Sequence, residues 1–136
     1  MFFYSAKHKD TLPYWDMFPL TFPIQFDGDS MLSINLHYLP LLLRAKLMNA
    51  LYTVAEEEGN SKIKKLQLSY QILNASARFS AFKPCIKRHL FSHVQSRFFW
   101  VRPEEWDMAL MLPTARFQKA SQEQVWADSE RIIRGV

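Results

Sequence analysis

Cysteine, glycine and, over one long stretch, acid are what this chain of 136 residues is short of. Its one cysteine, Cys85, cannot close a disulfide within the chain, which points to a reducing compartment. Three glycines leave little material for a loop that cradles a nucleotide phosphate. No apolar run reaches the roughly 18 residues needed to cross a bilayer. The opening Met1-Phe2-Phe3-Tyr4 has neither the apolar region nor the small-residue cleavage site of a signal peptide. Nucleophile-elbow, His-Glu-x-x-His and paired-cysteine patterns are missing as well. The expectation is an intracellular protein, or a component of a larger assembly, with no membrane contact, no cofactor, no metal and no catalytic set.

The missing acid is the most informative absence. From Gly59 to Pro103 there is no Asp or Glu, and the stretch holds Lys62, Lys64, Lys65, Arg78, Lys83, Lys87, Arg88, Arg97 and Arg102. Four basic and seven acidic side chains precede it, and four basic and six acidic ones follow. The overall net charge of +4 therefore hides a strongly polarised chain. Such asymmetry speaks of partners: a polyanion such as nucleic acid, or an acidic protein surface. Ordinary solvated helix faces would account for some of it.

What the chain does contain is enough for a core. Hydrophobic residues make up 49% and charged residues 22%, a globular balance, and aromatics reach 15%. Residues 1–19 form an aromatic, turn-rich arm in which Pro13 and Pro19 bracket Tyr14, Trp15 and Phe18. It is expected to pack across its own domain or to dock into a partner through those three side chains. Over 20–37, apolar Leu20, Phe22, Ile24 and Phe26, then Leu32, Ile34 and Leu36, alternate with polar residues around Asp27-Gly28-Asp29, which predicts a β-hairpin. Pro23 assigns the first strand to an edge or a bulge.

Helices are expected over the following part, 40–98. Pro40 suits a helix start, Leu43, Leu47, Ala50, Leu51 and Val54 follow at helical spacing, and Gly59 supplies a stop. Ser61 would cap a second helix running to about Phe79, with Ile63, Leu66, Tyr70, Leu73 and Ala77 on one face. Ile86, Leu90, Val94 and Phe98 recur at four-residue steps and predict a third helix over 85–98. Residues 98–102 are β-prone and predict a third strand joining the hairpin. Ser121-Gln122-Glu123-Gln124 matches a capping box and predicts a C-terminal helix over 121–134. The sum is an α+β fold in a single domain spanning 1–136: an N-terminal hairpin packed against three to four helices.

On the expected third helix, Cys85, His89 and His93 share one face. The outer two would lie roughly 12 Å apart along the axis, so the three could not ligate one tetrahedral ion. The same face continues to Arg97, giving a basic stripe suited to phosphates, with Lys87 and Arg88 beside it.

Several runs resemble a known group. Leu12-Pro13-Tyr14-Trp15-Asp16-Met17-Phe18-Pro19-Leu20, Asn35-Leu36-His37-Tyr38-Leu39-Pro40 with Arg44, Phe82-Lys83-Pro84-Cys85-Ile86-Lys87-Arg88 and Glu105-Trp106-Asp107 are similar to small proteins of tailed, T-even-like bacteriophages associated with DNA end protection. That resemblance covers most of the chain. It implies that the basic segment faces DNA, that the arm contacts virion or packaging partners, and that the protein works in the virion or the host cytoplasm.

The leading expectation is a non-enzymatic phage protein, acting in packaging or virion assembly, that binds duplex DNA through Lys83, Lys87, Arg88, His93 and Arg97. Arg78 and Lys62, Lys64 and Lys65 would assist. A second reading is a structural virion component of neck, tail or baseplate, oligomeric within its assembly, whose basic segment docks an acidic protein. A third is a small metal-dependent nuclease built from scattered acids and lysines.

Overall fold

Period-two alternation shapes the first half of the fold. The computed structural model describes residues 1–58 and 81–135. Its strands are β1 (Trp15–Asp16), β2 (Thr21–Asp27), β3 (Ser30–Asn35), β4 (Ile86–Leu90) and β5 (Phe117–Gln118). Its α-helices, among the described residues, are α1 (Leu41–Glu58), α2 (Trp106–Met111) and α3 (Gln122–Ile133). The fold is therefore α+β, with one three-stranded and one two-stranded sheet. No helix among the described residues is long and apolar enough to cross a membrane.

β2 and β3 pair antiparallel around the two-residue loop Gly28-Asp29, where Gly28 takes a φ of +46° that an L side chain resists. The register slips between Pro23 and Gln25, and β2 is the edge of the sheet order β2-β3-β4. Both facts suit Pro23, which has no N–H to give to a ladder. Across the three strands Phe22, Ile34 and Ile86 stand in one row, and Phe22 and Ile34 face the main core with Leu20, Leu47 and Val125. The neighbouring row, Met31 with His89 and Ser33 with Lys87, points to the other face. There Phe2, Tyr4 and Ala6 of the arm close over Met31.

The segment 85–98 departs from expectation. It is not a helix: a short 3-10 turn at Lys83–Cys85 leads into β4, and a second at Phe91–His93 leaves it. The reason lies in the arithmetic of the pattern. Steps of four place residues on one side of a helix, but four is also a multiple of two, so the same steps mark one side of a strand. The three-residue steps that would single out a helix are absent, since positions 89, 93 and 97 are His, His and Arg.

The expected third strand is likewise misplaced. Residues 98–102 are irregular, and the third strand of the hairpin sheet is β4. The chain from 93 to 99 runs instead beside the arm. Ser5 N donates to His93 O (3.1 Å), Gln95 N to Phe3 O (2.8 Å) and Phe99 N to Met1 O (2.7 Å). The second expected helix, 61–79, lies outside the described residues, together with Lys62, Lys64, Lys65 and Arg78.

α1 begins where Pro40 O accepts Arg44 N (3.0 Å). Arg44 shares a helix face with Leu47 and Met48 and is buried with them. Its guanidinium donates to Leu39 O and Leu110 O, both at 2.7 Å, and lies over the Trp126 ring. Burial pushes its pKa down to about 10, which leaves it charged at neutral pH. α3 opens on a full capping box: Ser121 Oγ accepts Gln124 N, and Gln124 Oε1 accepts Ser121 N (2.8 Å). Val125 then enters the core, and Trp126 Nε1 donates to His37 O (2.8 Å).

Candidate nucleic-acid interface

The candidate interface is built on a buried polar clasp that fixes the arm. His37 Nδ1 donates to Asp16 Oδ2 at 2.7 Å, and His37 Nε2 lies 3.0 Å from the Thr114 hydroxyl. Asn35 Nδ2 donates to the same Asp16 oxygen at 3.0 Å. The other carboxylate oxygen, Oδ1, accepts the backbone N–H groups of Phe18 (3.0 Å) and Arg116 (3.1 Å). Burial by itself would raise the Asp16 pKa. The hydrogen bond and charge of His37, with Asn35 and the Phe18 amide, outweigh it and hold the carboxyl below its usual range. A hydroxyl–imidazole–carboxylate sequence resembles a nucleophilic relay. Here the imidazole is completely buried, and the group joins β1, the turn after β3 and the segment 114–116 ahead of β5.

By locking the Phe18 and Arg116 amides, the clasp presents two side chains at the surface. The rings of Phe18 and Phe3 stack with centroids 4.4 Å apart. The Arg116 guanidinium lies 5.8 Å from the Phe3 ring, on the exposed side. On the other flank Phe99 meets Phe18 edge-on at 6.2 Å, and the Arg97 guanidinium sits 5.3 Å over Phe99. The result is a continuous file, Arg116, Phe3, Phe18, Phe99, Arg97, in which a cation ends each side. Next to it Phe98 is 53% and Trp100 71% exposed. Three consecutive aromatics at the surface form a patch of the kind that marks a binding site.

The basic residues singled out by the sequence are dispersed. Arg97 is exposed and belongs to the file. Arg88 is exposed at the hairpin tip, where Nη1 pairs with Asp27 Oδ2 at 2.9 Å and donates to Ser30 Oγ at 2.8 Å. Lys83 is exposed but sits in the 3-10 turn at the opposite end of β4. The expected helical stripe therefore does not form. In a strand, odd and even residues part, and Lys87 and His89 take the arm-covered face. The Lys87 ammonium lies 4.2 Å from the Tyr38 ring, and burial lowers its pKa. His89 is buried among Phe2 and Tyr4, edge-on at 5.2 and 4.7 Å, and burial lowers its pKa to about 4. His93 Nδ1 donates to Ser5 O at 2.9 Å.

Of the three arm aromatics, Tyr14 donates to Asp128 Oδ2 at 2.9 Å, Trp15 packs on the second core cluster, and Phe18 stacks as described. No group of three or more His, Cys, Asp or Glu side chains among the described residues is placed to hold a metal ion. Cys85 is fully buried, and burial pushes its thiol up to about 12, so it stays protonated.

Two features were missed in the sequence. The run Arg97-Phe98-Phe99-Trp100-Val101-Arg102 has its aromatics bracketed by cations in an acid-free stretch, a signal for a stacking surface that also fits a strand. Nothing local marks Arg116, which joins the file through long-range contacts with Asp16 and Met17.

A family model described as the phage T4 terminal DNA protecting protein matches residues 1–130. No curated protein and no solved structure matches the chain.

Proposed function

We propose that this chain, which belongs to the phage T4 terminal DNA protecting protein family, binds the ends of linear phage DNA and shields them by occupancy, without catalysis. The observation that carries the reading is the acid-free surface stretch 81–103, where Lys83, Arg88, Arg97 and Arg102 are exposed. Arg116 adds a fifth exposed cation beside Arg97 through the aromatic file. Phosphate contacts of this kind hold and orient a duplex without reading its sequence. Lys87 and His93, spent on internal contacts, support the surface rather than meet the DNA. Lys62, Lys64, Lys65 and Arg78 extend the basic stretch and are proposed as further phosphate contacts. The arm residues Tyr14, Trp15 and Phe18 act by shaping the surface, with partner docking as their second role in packaging or assembly of the virion.

The test is a salt titration of binding to linear duplex DNA and to the same duplex with both ends closed by hairpin loops, followed by exonuclease challenge. Tighter binding to the open form is expected, with log K falling against log salt at a slope of about −4 from the five exposed cations, steeper by about 0.9 for each of Lys62, Lys64, Lys65 and Arg78 that joins them. Open ends should survive the exonuclease in proportion to occupancy. Equal affinity for open and closed duplexes, or none at low salt, overturns the reading. Cleavage of the DNA with magnesium present would replace it by the nuclease reading.

A further inference from the structure

An open duplex end differs from the interior in its free 5′ and 3′ termini and in one exposed surface. It exposes the flat face of its last base pair, a π-surface that every interior pair hides by stacking. Internal phosphates are present in both places, so cations that contact them do not by themselves tell an end from a middle. Rings exposed beside such cations can meet the flat face.

The described surface has exposed rings beside cations. Phe99 and Trp100 are 37% and 71% exposed, and they follow Arg97 directly in the chain. Phe99 is met edge-on by Phe18, which stacks on Phe3, so its ring is held from behind. Its backbone is fixed as well, since Phe99 N donates to Met1 O and Phe99 O accepts from the Met1 amine at 2.9 Å. Arg97 and Arg116 stand at the two ends of the file, and no acid occurs between 81 and 103. A file of rings with a guanidinium at each end, and Trp100 exposed next to it in the chain, suits a base-pair face with a phosphate at each edge.

We infer that Phe99 and Trp100 stack on the terminal base pair of the DNA, while Arg97 and Arg116 hold the phosphates on either side of it. This rests on the end-binding reading above and names the part of the end that is recognised: the blunt face of the last pair. Base–aromatic stacking of this kind is worth about tenfold to a hundredfold in affinity. The Asp16 clasp serves the site at one remove, because it sets the backbone of Phe18 and Arg116.

The experiment uses the full chain and a blunt duplex carrying 2-aminopurine either at its last pair or at its centre. Binding of the unaltered protein should change the emission of the terminal probe and leave the central one alone. Trp100→Ala and Phe99→Ala, each shown by circular dichroism to be folded, should lose about tenfold to a hundredfold for open ends. Their weaker binding to the hairpin-closed duplex should be unchanged. Arg97→Gln should reduce the magnitude of the salt slope by about one.

Folded aromatic variants that keep full preference for open ends overturn the inference, as does a terminal probe that stays silent. Sedimentation velocity supplies a further check. If Trp100→Ala dissociates an oligomer while end preference persists, the patch joins copies of the chain and the inference fails. When the unaltered protein binds open and closed duplexes alike, the end-binding reading itself has failed. When it prefers ends and the aromatic variants do so equally, only the stacking has failed.

Discussion

Asp16 and His89 show how single residues set the acid behaviour of this protein. His89 is neutral in its aromatic setting, with a pKa lowered to about 4 from 6.5 by burial. The unfolded chain therefore binds the proton more readily, and stability falls as pH drops through 6.5, levelling near 4. The loss between pH 8 and pH 5 is about 2 kcal/mol, and His89→Gln should flatten the urea-unfolding profile over that range. Asp16 acts in a lower window. Its folded pKa lies below the usual 3.8, so its contribution is complete above that value and disappears as pH falls through the folded one. An acid titration of the melting temperature should thus show two separate descents. Removing the clasp at neutral pH, by His37→Ala, leaves Asp16 buried without its partner and should cost about 3 kcal/mol in urea. It should also weaken end binding, since the Phe18 and Arg116 amides lose their anchor.

At the level of elements, the hairpin depends on its turn. A side chain at Gly28 would meet no atom within 4 Å, so the cost of replacing it is conformational, through its φ of +46°. Gly28→Ala should destabilise the protein by about 1 kcal/mol, and Gly28→Asn by less, because Asn tolerates that region; denaturant midpoints would show both. The two runs beside this turn alternate without interruption apart from Pro23, and they could be read directly. The capping box of α3 and the start of α1 at Pro40 were equally legible, because each is declared within four residues. β4 was not, since its four-residue spacing suits two periods and the deciding partners, Met31 and Ser33, lie more than fifty residues earlier. The candidate site was legible as charge and hidden as geometry. The acid-free stretch stands out in any count, whereas the pairing of Arg97 with Arg116 across Phe99, Phe18 and Phe3 depends on contacts that no local pattern encodes.

Over the whole molecule, cations and rings are gathered by distant parts of the chain. The core side of the three-stranded sheet carries the helices, and its opposite side carries the arm, so the proposed end-binding surface forms only where the arm meets residues 93–118. That arrangement has a consequence in time. Met1 bonds to a residue 98 positions later, and Ser5 to one 88 positions later. On a ribosome adding about 5–20 residues per second, the arm leaves the exit roughly 5–20 s before its partners do. Phe2, Phe3 and Tyr4 spend that interval with Phe18 and Met31 as early partners but without the cover of His89, His93 and Phe98. The proposed DNA-facing side is thus completed late, and on that reading preference for DNA ends waits until residues 93–118 have joined the arm.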